Sequence, residues 1–328
     1  MDIYFEPEYG KLNEKTEDGC AESFLFECEY GRVQNVYIKR RAPYLLDGEQ
    51  YYDAITPYGY GGPVILECSD RERLLTAYKD AYLAHCSRER IVDEFVRFHP
   101  LEENALCFGE VYETVYSRHT VAVDLTKADY SAVQFSPDCR NMIRKAAKKG
   151  VTVSIDESCA ELEGFIRLYY ATMDKNSAAD YYYFDREYFE QLRAIANSGL
   201  ILINAFVEEK LIASAMFMCS EEYMHYHLSS TDPEYYSYAA NNAILAAAIE
   251  YGRERGLRWL HLGGGLSGSE KDNLFRFKRS FGRTEANLKD FYMGRGIFMP
   301  EVYERLCGLA RENGVDNEGF FPAYRKAH

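Results

Sequence analysis

The stretch LHLGGGLSGSEKDNLFRFKRSFG, residues 260–282, decides the fold expected for this chain. A short apolar run ends in three glycines, which is typical of a strand that turns sharply at its end. Leu274, Phe277 and Phe281 then recur at helical spacing, so a helix is predicted after the turn. Lys278 lies among these apolar positions. A desolvated ammonium there is costly unless a negative group meets it, and the alternative is a lysine whose stem is buried while its charge reaches water.

The segments before this stretch alternate between strand and helix patterns. Two β-rich runs, LILINAFVEE and KLIASAMFMC, meet at Glu209-Lys210 and predict a hairpin, with EYMHYHLSS as a third antiparallel strand. A long helix closed by Gly256 and the strand LRWLHL follow, and this strand–helix–strand unit is predicted to be parallel. The other predicted elements include strands at 21–31, 32–42 and 51–56, strands near 92–98, 105–109, 119–125 and 151–155, and helices near 71–86, 159–173 and 185–197.

Composition excludes several classes of function. The chain has 328 residues, which suggests two domains, and a net charge of −14, which argues against general binding to nucleic acids, and against DNA as a partner. Its apolar runs are too short for a membrane span, and its first residues lack the pattern of a signal peptide. Nine cysteines without a CxxC pair predict reduced thiols in the cytoplasm, with neither disulfides nor a metal site.

Three strings resemble the FemAB-type branch of the GNAT acyltransferases, in which two GNAT-like domains are fused. They are PYGYGGPVI (57–65), RNMIRKAAKKGVTV (140–153), and LHLGGG followed by LFRFKRSFG. The resemblance implies a mixed α/β (α+β) fold of two tandem GNAT-like domains, each with a mostly antiparallel sheet flanked by helices. The domains are expected at 1–149 and 150–328, and residues 300–328 are expected to pack back onto the first. Ser136 as N-cap, Pro137 at the first helical position and Gly150 beyond the end delimit a helix just before this boundary.

The same resemblance implies transfer of an acyl or aminoacyl group onto an amine, for example of a peptidoglycan precursor resembling a muropeptide. The donor is expected to be aminoacyl-tRNA or acyl-CoA, with no tightly bound cofactor. The glycine-rich signature that cradles the pyrophosphate of acetyl-CoA is replaced by SSTDPEYYSYAANN, residues 229–242. Two alternatives stay open: an acyl-CoA-dependent N-acetyltransferase acting on a sugar or small amine, and a non-catalytic ligand-binding protein on a GNAT scaffold.

Two residues are candidates for the catalytic step. Lys278 is placed to stabilise the oxyanion of acyl transfer. His227 alternates with His225 along the predicted strand, so both share one face, and His227 is the candidate base.

The other candidates are expected to bind substrate. They lie in the loop at 57–63, the basic helix at 137–149, the central strand, and the glycine turn with its helix: Tyr58, Tyr60, Gly61, Gly62, Arg140, Arg144, Tyr226, Ser229, Gly263, Gly264, Gly265 and Phe277.

Overall fold

The computed structural model describes residues 1–175, 178–195, 199–315 and 319–325. By its contacts the chain divides into two compact units. Unit 1 comprises Met1–Ile3 and Arg118–Lys289, and unit 2 comprises Tyr4–Ser117 and Asp290–His328.

Twelve strands occur among the described residues. In chain order they are β1 Cys20–Cys28, β2 Gly31–Arg41, β3 Tyr52–Ile55, β4 Val64–Cys68, β5 Ile91–Arg97, β6 Glu113–Asp124, β7 Val151–Asp156, β8 Leu200–Val207, β9 Lys210–Cys219, β10 Tyr223–Thr231, β11 Trp259–Gly263 and β12 Leu288–Ile297.

Ten α-helices occur in the same described ranges. They are α1 Pro7–Leu12, α2 Glu14–Glu17, α3 Arg71–Glu89, α4 Tyr130–Gln134, α5 Pro137–Lys148, α6 Leu162–Lys175, α7 Arg186–Ile195, α8 Ala240–Glu254, α9 Asn273–Arg279 and α10 Pro300–Glu312.

The sheet of unit 1 is built around the predicted hairpin. β7, β8, β9 and β10 pair antiparallel in that order, and β10 then pairs with β11 in parallel, as the strand–helix–strand pattern predicts. β8 and β9 are almost continuously buried because both faces are covered, by α8 on β8 and β9 and by α6 on β9 and β10. Ile244, Leu245 and Ile249 of α8 lie in this core.

Helix α5 explains why the domain boundary differs from the prediction. Ser136 caps it by accepting from the Cys139 amide at 3.1 Å, and Gly150 follows it with a φ of 75°, both as the sequence indicates. Its buried Cys139 belongs to the same apolar core as α8. The predicted boundary near Gly150 therefore falls inside unit 1, and the contacts divide the chain at residues 117 and 118 instead.

Unit 2 contains the strand order β1, β2, β3, β5 and β12, in which only the β3–β5 pair is parallel. Helix α3 packs on β1, β2 and β5. Along the chain, residues 290–325 belong to this unit, and Leu306 and Tyr303 of α10 pack with Val92 of β5.

Buried charges tie the end of the described chain to the sheet of unit 2. Asp53 on β3 is fully buried and pairs with both Arg40 of β2 and Arg325. Asp93 faces it across the β3–β5 ladder and accepts from the Tyr324 hydroxyl at 2.5 Å. Burial, and the nearby Asp53 charge, hold the pKa of Asp93 well above its usual range.

Two sequence predictions need comment. The strand predicted at 105–109 is wrong: a 3-10 turn runs through Asn104–Leu106. The Asn104 side chain holds the carbonyls of Gly61 and Pro63 at 2.8 and 2.9 Å, which fixes this segment as a connection. The end of the helix predicted at 185–197 lies outside the described residues beyond Ile195.

Within the described part of the chain, the helices are all too short or too polar to cross a membrane.

Arg40→Met tests the buried charge network of unit 2. It leaves the Asp53 carboxylate buried with one of its two arginines missing, so the free energy of unfolding should fall by about 3 kcal/mol. Arg305→Met is the matched control, because the Arg305–Asp47 pair is exposed at both ends and should contribute less than about 1 kcal/mol. Urea unfolding of the two variants measures the difference. Equal losses in the two variants would show that the Asp53 network contributes no more to stability than an exposed ion pair does.

Candidate active site

The parallel ladder between β10 and β11 ends early. Its register joins Tyr223 to Trp259 and ends at the rung His225–His261, although β10 continues to Thr231. We call the segments beyond this rung, 226–231 of β10 and 262–263 of β11, the strand split. Main-chain N–H and C=O groups that leave a ladder need other partners. A split between parallel strands therefore offers polar main-chain groups to a ligand.

A β-bulge adds to this irregularity on the other side of β10. Tyr226 pairs with Phe217 and Leu228 with Met216, so His227 is an extra residue in the β9–β10 register. Bulges re-aim side chains and are common next to active sites. The bulge therefore sits at the residue that follows the start of the strand split.

His227 lies against helix α7 and is half-buried. Its Nε2 is 3.2 Å from the Tyr188 hydroxyl. Burial, and to a lesser degree the charge of His225, lower the pKa of His227 to about 3. The imidazole is thus neutral at pH 7 and a weaker base than an ordinary histidine.

Lys278 is buried, with 9% of its surface exposed. It lies on α9 and its Nζ donates to the Gly264 carbonyl at 2.7 Å. The same atom is 6.0 Å from the centre of the Tyr226 ring. Burial lowers the pKa of Lys278 to about 8, and the negative charge of Asp272 opposes this shift. The lysine therefore does not reach water as a snorkelling side chain would, and its cation is held at the end of β11.

The glycine turn makes this placement possible. Gly263 has a φ of 74°, a conformation that favours glycine. A Cβ on Gly265 would lie 2.5 Å from Oδ1 of Asp272. Asp272 caps α9 by accepting from the Phe275 amide at 2.9 Å, and it also accepts from the Ser267 amide at 3.2 Å. Gly264 is the member of the three that contacts Lys278, through its carbonyl.

Two other predicted residues of unit 1, Tyr226 and Phe277, pack in its apolar core. Tyr226 faces the apolar core beside Phe217, and burial raises its pKa to about 12, while a hydrogen bond to Ser229 opposes the rise. Phe277 packs edge-on against Phe281 in the same core. Lys278, Gly264, Tyr226 and Ser229 are thus brought together around the strand split.

The two arginines of α5 have different surroundings. Arg140 donates to the carbonyls of Ser131 and Phe135 at 3.1 and 2.7 Å, so it ties the end of α4 to α5. Arg144 is exposed and donates to Asn141 on its own helix. Arg140 is therefore committed to the fold, and Arg144 remains on the surface.

The aromatic loop at 57–63, predicted to bind substrate, belongs to unit 2 and is held there by hydrogen bonds and ring contacts. The Tyr58 carbonyl accepts from the Tyr9 hydroxyl at 2.8 Å, and the Tyr60 ring packs edge-on against Tyr4 and Phe291. The Gly61 amide donates to the Arg97 carbonyl at 2.8 Å, and Gly62 has a φ of 81°.

Residues 134–279 match the family model described as an acetyltransferase (GNAT) domain. This segment is therefore similar to a GNAT-type acetyltransferase domain. The matched segment begins before Gly150 and lies wholly within unit 1, in agreement with the place of α5. The resemblance seen in the sequence is confirmed at this level, and so is the mixed α/β fold class.

Several solved structures share this fold. FemX aligns with a TM-score of 0.69 and 14% identity over 92% of this chain and 94% of its own. The L-PGS structure from Bacillus licheniformis aligns with a TM-score of 0.52 and 11% identity over 90% and 92%. A tandem GNAT protein from the clavulanic acid biosynthesis pathway, without AcCoA, aligns with a TM-score of 0.50 and 10% identity over 85% and 83%. No curated protein sequence matches the chain.

Three side chains near the split were not among the predicted site residues. They are His261 on β11, Thr120 on β6 and Asp2. Asp2 and His261 each contact the His225 side chain, and Thr120 contacts His261. His261 is part of the LHLGGG string, and its position between two apolar residues was the available signal. Nothing in the local sequence links Asp2 or Thr120 to it, because the contacts span more than 140 residues.

Lys278→Met tests the buried cation without any substrate. With its pKa lowered to about 8, Lys278 loses its proton in the folded protein while the unfolded chain keeps it up to pH 10.5. The unfolded state then binds more protons, so the wild type gains stability as pH rises from about 8 to 10.5. The variant lacks this gain. At pH 7 its free energy of unfolding should be within about 1 kcal/mol of the wild-type value, or higher. By pH 10 it should be lower relative to the wild type than at pH 7.

Urea unfolding at pH 7 and pH 10 measures this change. Arg276→Met is the matched control, since Arg276 is exposed on the same helix. Arg279 is unsuitable, because it donates to the Thr284 carbonyl and pairs with Glu285. A stability difference between Lys278→Met and the wild type that does not vary with pH would show that the ammonium is hydrated.

Proposed function

We propose that this protein is an acyltransferase that moves an acyl or aminoacyl group onto an amine. The observation that carries this proposal is the buried ammonium of Lys278 at the end of β11, beside the strand split of a GNAT-type domain. A buried cation aimed at polar main-chain groups suits a reaction in which negative charge develops on oxygen.

The reaction is simple in outline. The nitrogen lone pair of the amine attacks the donor carbonyl, and the carbonyl oxygen becomes an oxyanion. The bond from carbon to the leaving oxygen or sulfur then breaks, and the leaving group takes the electron pair. Lys278 has three N–H donors and uses one on Gly264, so the others serve the oxyanion. The amine must also give up a proton to a base.

The segment before α8 argues against a pyrophosphate-containing donor in this domain. Pro233–Tyr238 forms a 3-10 helix where the acetyl-CoA signature would place its glycines. The Glu234 amide donates to the Asp232 side chain at 3.0 Å, and the Tyr235 amide to the Asp232 carbonyl at 2.9 Å. These amides are already used, and Asp232 and Glu234 add negative charge. An aminoacyl ester therefore fits the site better than a CoA thioester.

A basic and aromatic surface supports a donor carried on RNA. Lys149 lies 4.2 Å from the centre of the Tyr238 ring, and Lys175 lies 3.8 Å from that of Tyr236. The exposed Arg144, Lys145 and Lys148 extend this surface along α5. Lysines and exposed aromatic rings together bind phosphates and stack on unpaired bases. The resemblance to FemAB-type proteins implies the same donor, aminoacyl-tRNA, and an acceptor amine on a peptidoglycan precursor.

A transfer assay with two donors tests this function. The purified protein is incubated with a UDP-linked muropeptide and either aminoacyl-tRNA or acetyl-CoA, and products are resolved by mass spectrometry. We expect a new amide bond with the aminoacyl donor. Transfer from acetyl-CoA alone, with CoA binding detected by calorimetry, would support the alternative of an acyl-CoA-dependent enzyme. Binding of ligand without any transfer would support the non-catalytic alternative.

Lys278→Met should lower turnover by about 10²–10³-fold, the usual loss for one oxyanion-stabilising donor. Because the charged form is required, wild-type turnover should fall as pH rises through about 8, and the variant should lack this fall. Arg276→Met should keep both the rate and the pH profile. Full activity of Lys278→Met, or equal losses in both variants, would remove Lys278 from the active site.

A further inference from the structure

A buried chain of polar side chains runs through the rung where the strand split begins. Asp2 Oδ2 is 2.7 Å from Nε2 of His225, and the two Nδ1 atoms of His225 and His261 are 3.4 Å apart. His261 Nε2 is 2.9 Å from the Thr120 hydroxyl. All four residues belong to unit 1, and each is at most 4% exposed. Buried polar groups of this kind must satisfy one another.

The direction of each hydrogen bond limits where protons are. In one arrangement Thr120 donates to His261 Nε2, His261 Nδ1 donates to His225 Nδ1, and His225 Nε2 donates to Asp2. Every group is then satisfied, and both imidazoles are neutral. The Thr120 hydroxyl is also 3.2 Å from the Lys289 carbonyl, which offers it a second acceptor.

That second acceptor allows this network of hydrogen-bonded side chains to take up one more proton. If Thr120 donates to Lys289 instead, its oxygen accepts from a protonated His261 Nε2, while His261 Nδ1 still donates to His225. The extra positive charge then lies on the histidine pair. Two hydrogen bonds connect His261 to the Asp2 carboxylate, which balances that charge. Only a hydroxyl hydrogen rotates, so the heavy atoms keep their places.

We propose that the His225–His261 pair, backed by Asp2, is the group that accepts the amine's proton during acyl transfer. The pair forms the last rung before the strand split, and the proposed function places the oxyanion-stabilising Lys278 beside that split. The step is balanced: the nitrogen forms its bond to carbon, the leaving group departs with its electron pair, and the nitrogen's proton moves to the pair. The leaving group or water later takes that proton. The inference rests on the proposed function for its substrate.

The surroundings of the pair favour this role over His227. Among the described residues of unit 1, the titratable groups near the pair include Asp2, Tyr223, whose ring centre is 6.4 Å from that of His225, and His227. Ser220 donates to Asp2 at 3.1 Å and keeps the carboxylate in place. The Tyr188 hydroxyl lies 3.2 Å from Nε2 of His227, whereas the His225–His261 pair has the Asp2 carboxylate beside it as a counter-charge.

A histidine titration tests proton uptake without any substrate. Nitrogen-15 NMR of histidine-labelled protein, assigned with His225→Gln and His261→Gln, should show the two imidazoles taking up one proton together in a single step. Thr120→Val is a milder variant that keeps the shape but removes the acceptor of the protonated His261. It should move this step to lower pH by about one unit. Two independent titrations, or none between pH 5 and 9, would overturn the proposal.

Kinetics test the role in the reaction. His261→Gln should lower kcat/KM about 10²-fold at pH 7 and abolish the rise of kcat/KM with pH on the acidic side. His227→Gln is the matched comparison on the same strand, and the position of its acidic limb should match the wild type. An acidic limb retained in His261→Gln would overturn the proposal even if transfer itself is found. Absence of transfer by the wild type would instead refute the proposed function, and the NMR titration would still decide proton uptake.

Discussion

The rung between His225 and His261 is the constraint on which the rest of unit 1 depends. Up to that rung β10 and β11 share a parallel ladder, and beyond it each strand pairs only with its other neighbour. Parallel ladders need a crossover, and α8 supplies it while filling the core above β8 and β9. Ending the ladder leaves main-chain groups of both strands to be satisfied differently. The bulge at His227 and the glycine turn after β11 are the local consequences of that ending.

Unit 1 buries an ammonium and a carboxyl group next to β10 and β11. Lys278 is a cation made costly by burial, and the Gly264 carbonyl and the Asp272 charge offset part of that cost. Asp2 is a buried carboxyl group that contacts the histidine pair through His225. A reaction that creates an oxyanion and releases a proton needs both a donor and an acceptor within one site. The proposed assignments give these two tasks to separate groups whose charges do not compete.

In unit 2 the buried carboxylates are stabilised by neutral hydrogen-bond donors or by arginines. Glu94 is fully buried, and its carboxylate accepts from the hydroxyls of Tyr82 and Tyr112 at 2.7 and 2.6 Å and from Asn35 at 3.0 Å. Asp53 instead relies on two arginines, one of them close to the end of the described chain. Several of the 29 tyrosines of the sequence therefore serve as buried hydrogen-bond donors to carboxylates. The loop that carries Tyr58 and Tyr60 is likewise packed within its own unit.

Local sequence determined those features that local physics controls. Ser136 and Pro137 predicted the start of α5, the apolar runs predicted β8 and β9 as a hairpin, and the triple glycine before a patterned helix predicted the turn that carries Lys278. The burial of Lys278 could be predicted only as one of two possibilities, because periodicity gives the face of a helix but not the partner of a charge. Tertiary structure alone decided that α5 packs with α8, that Arg140 holds the end of α4, and that Asp2 and Thr120 meet the two histidines. Those contacts join residues more than a hundred positions apart or compete with equally plausible surface positions, so no pattern within a window of sequence contains them.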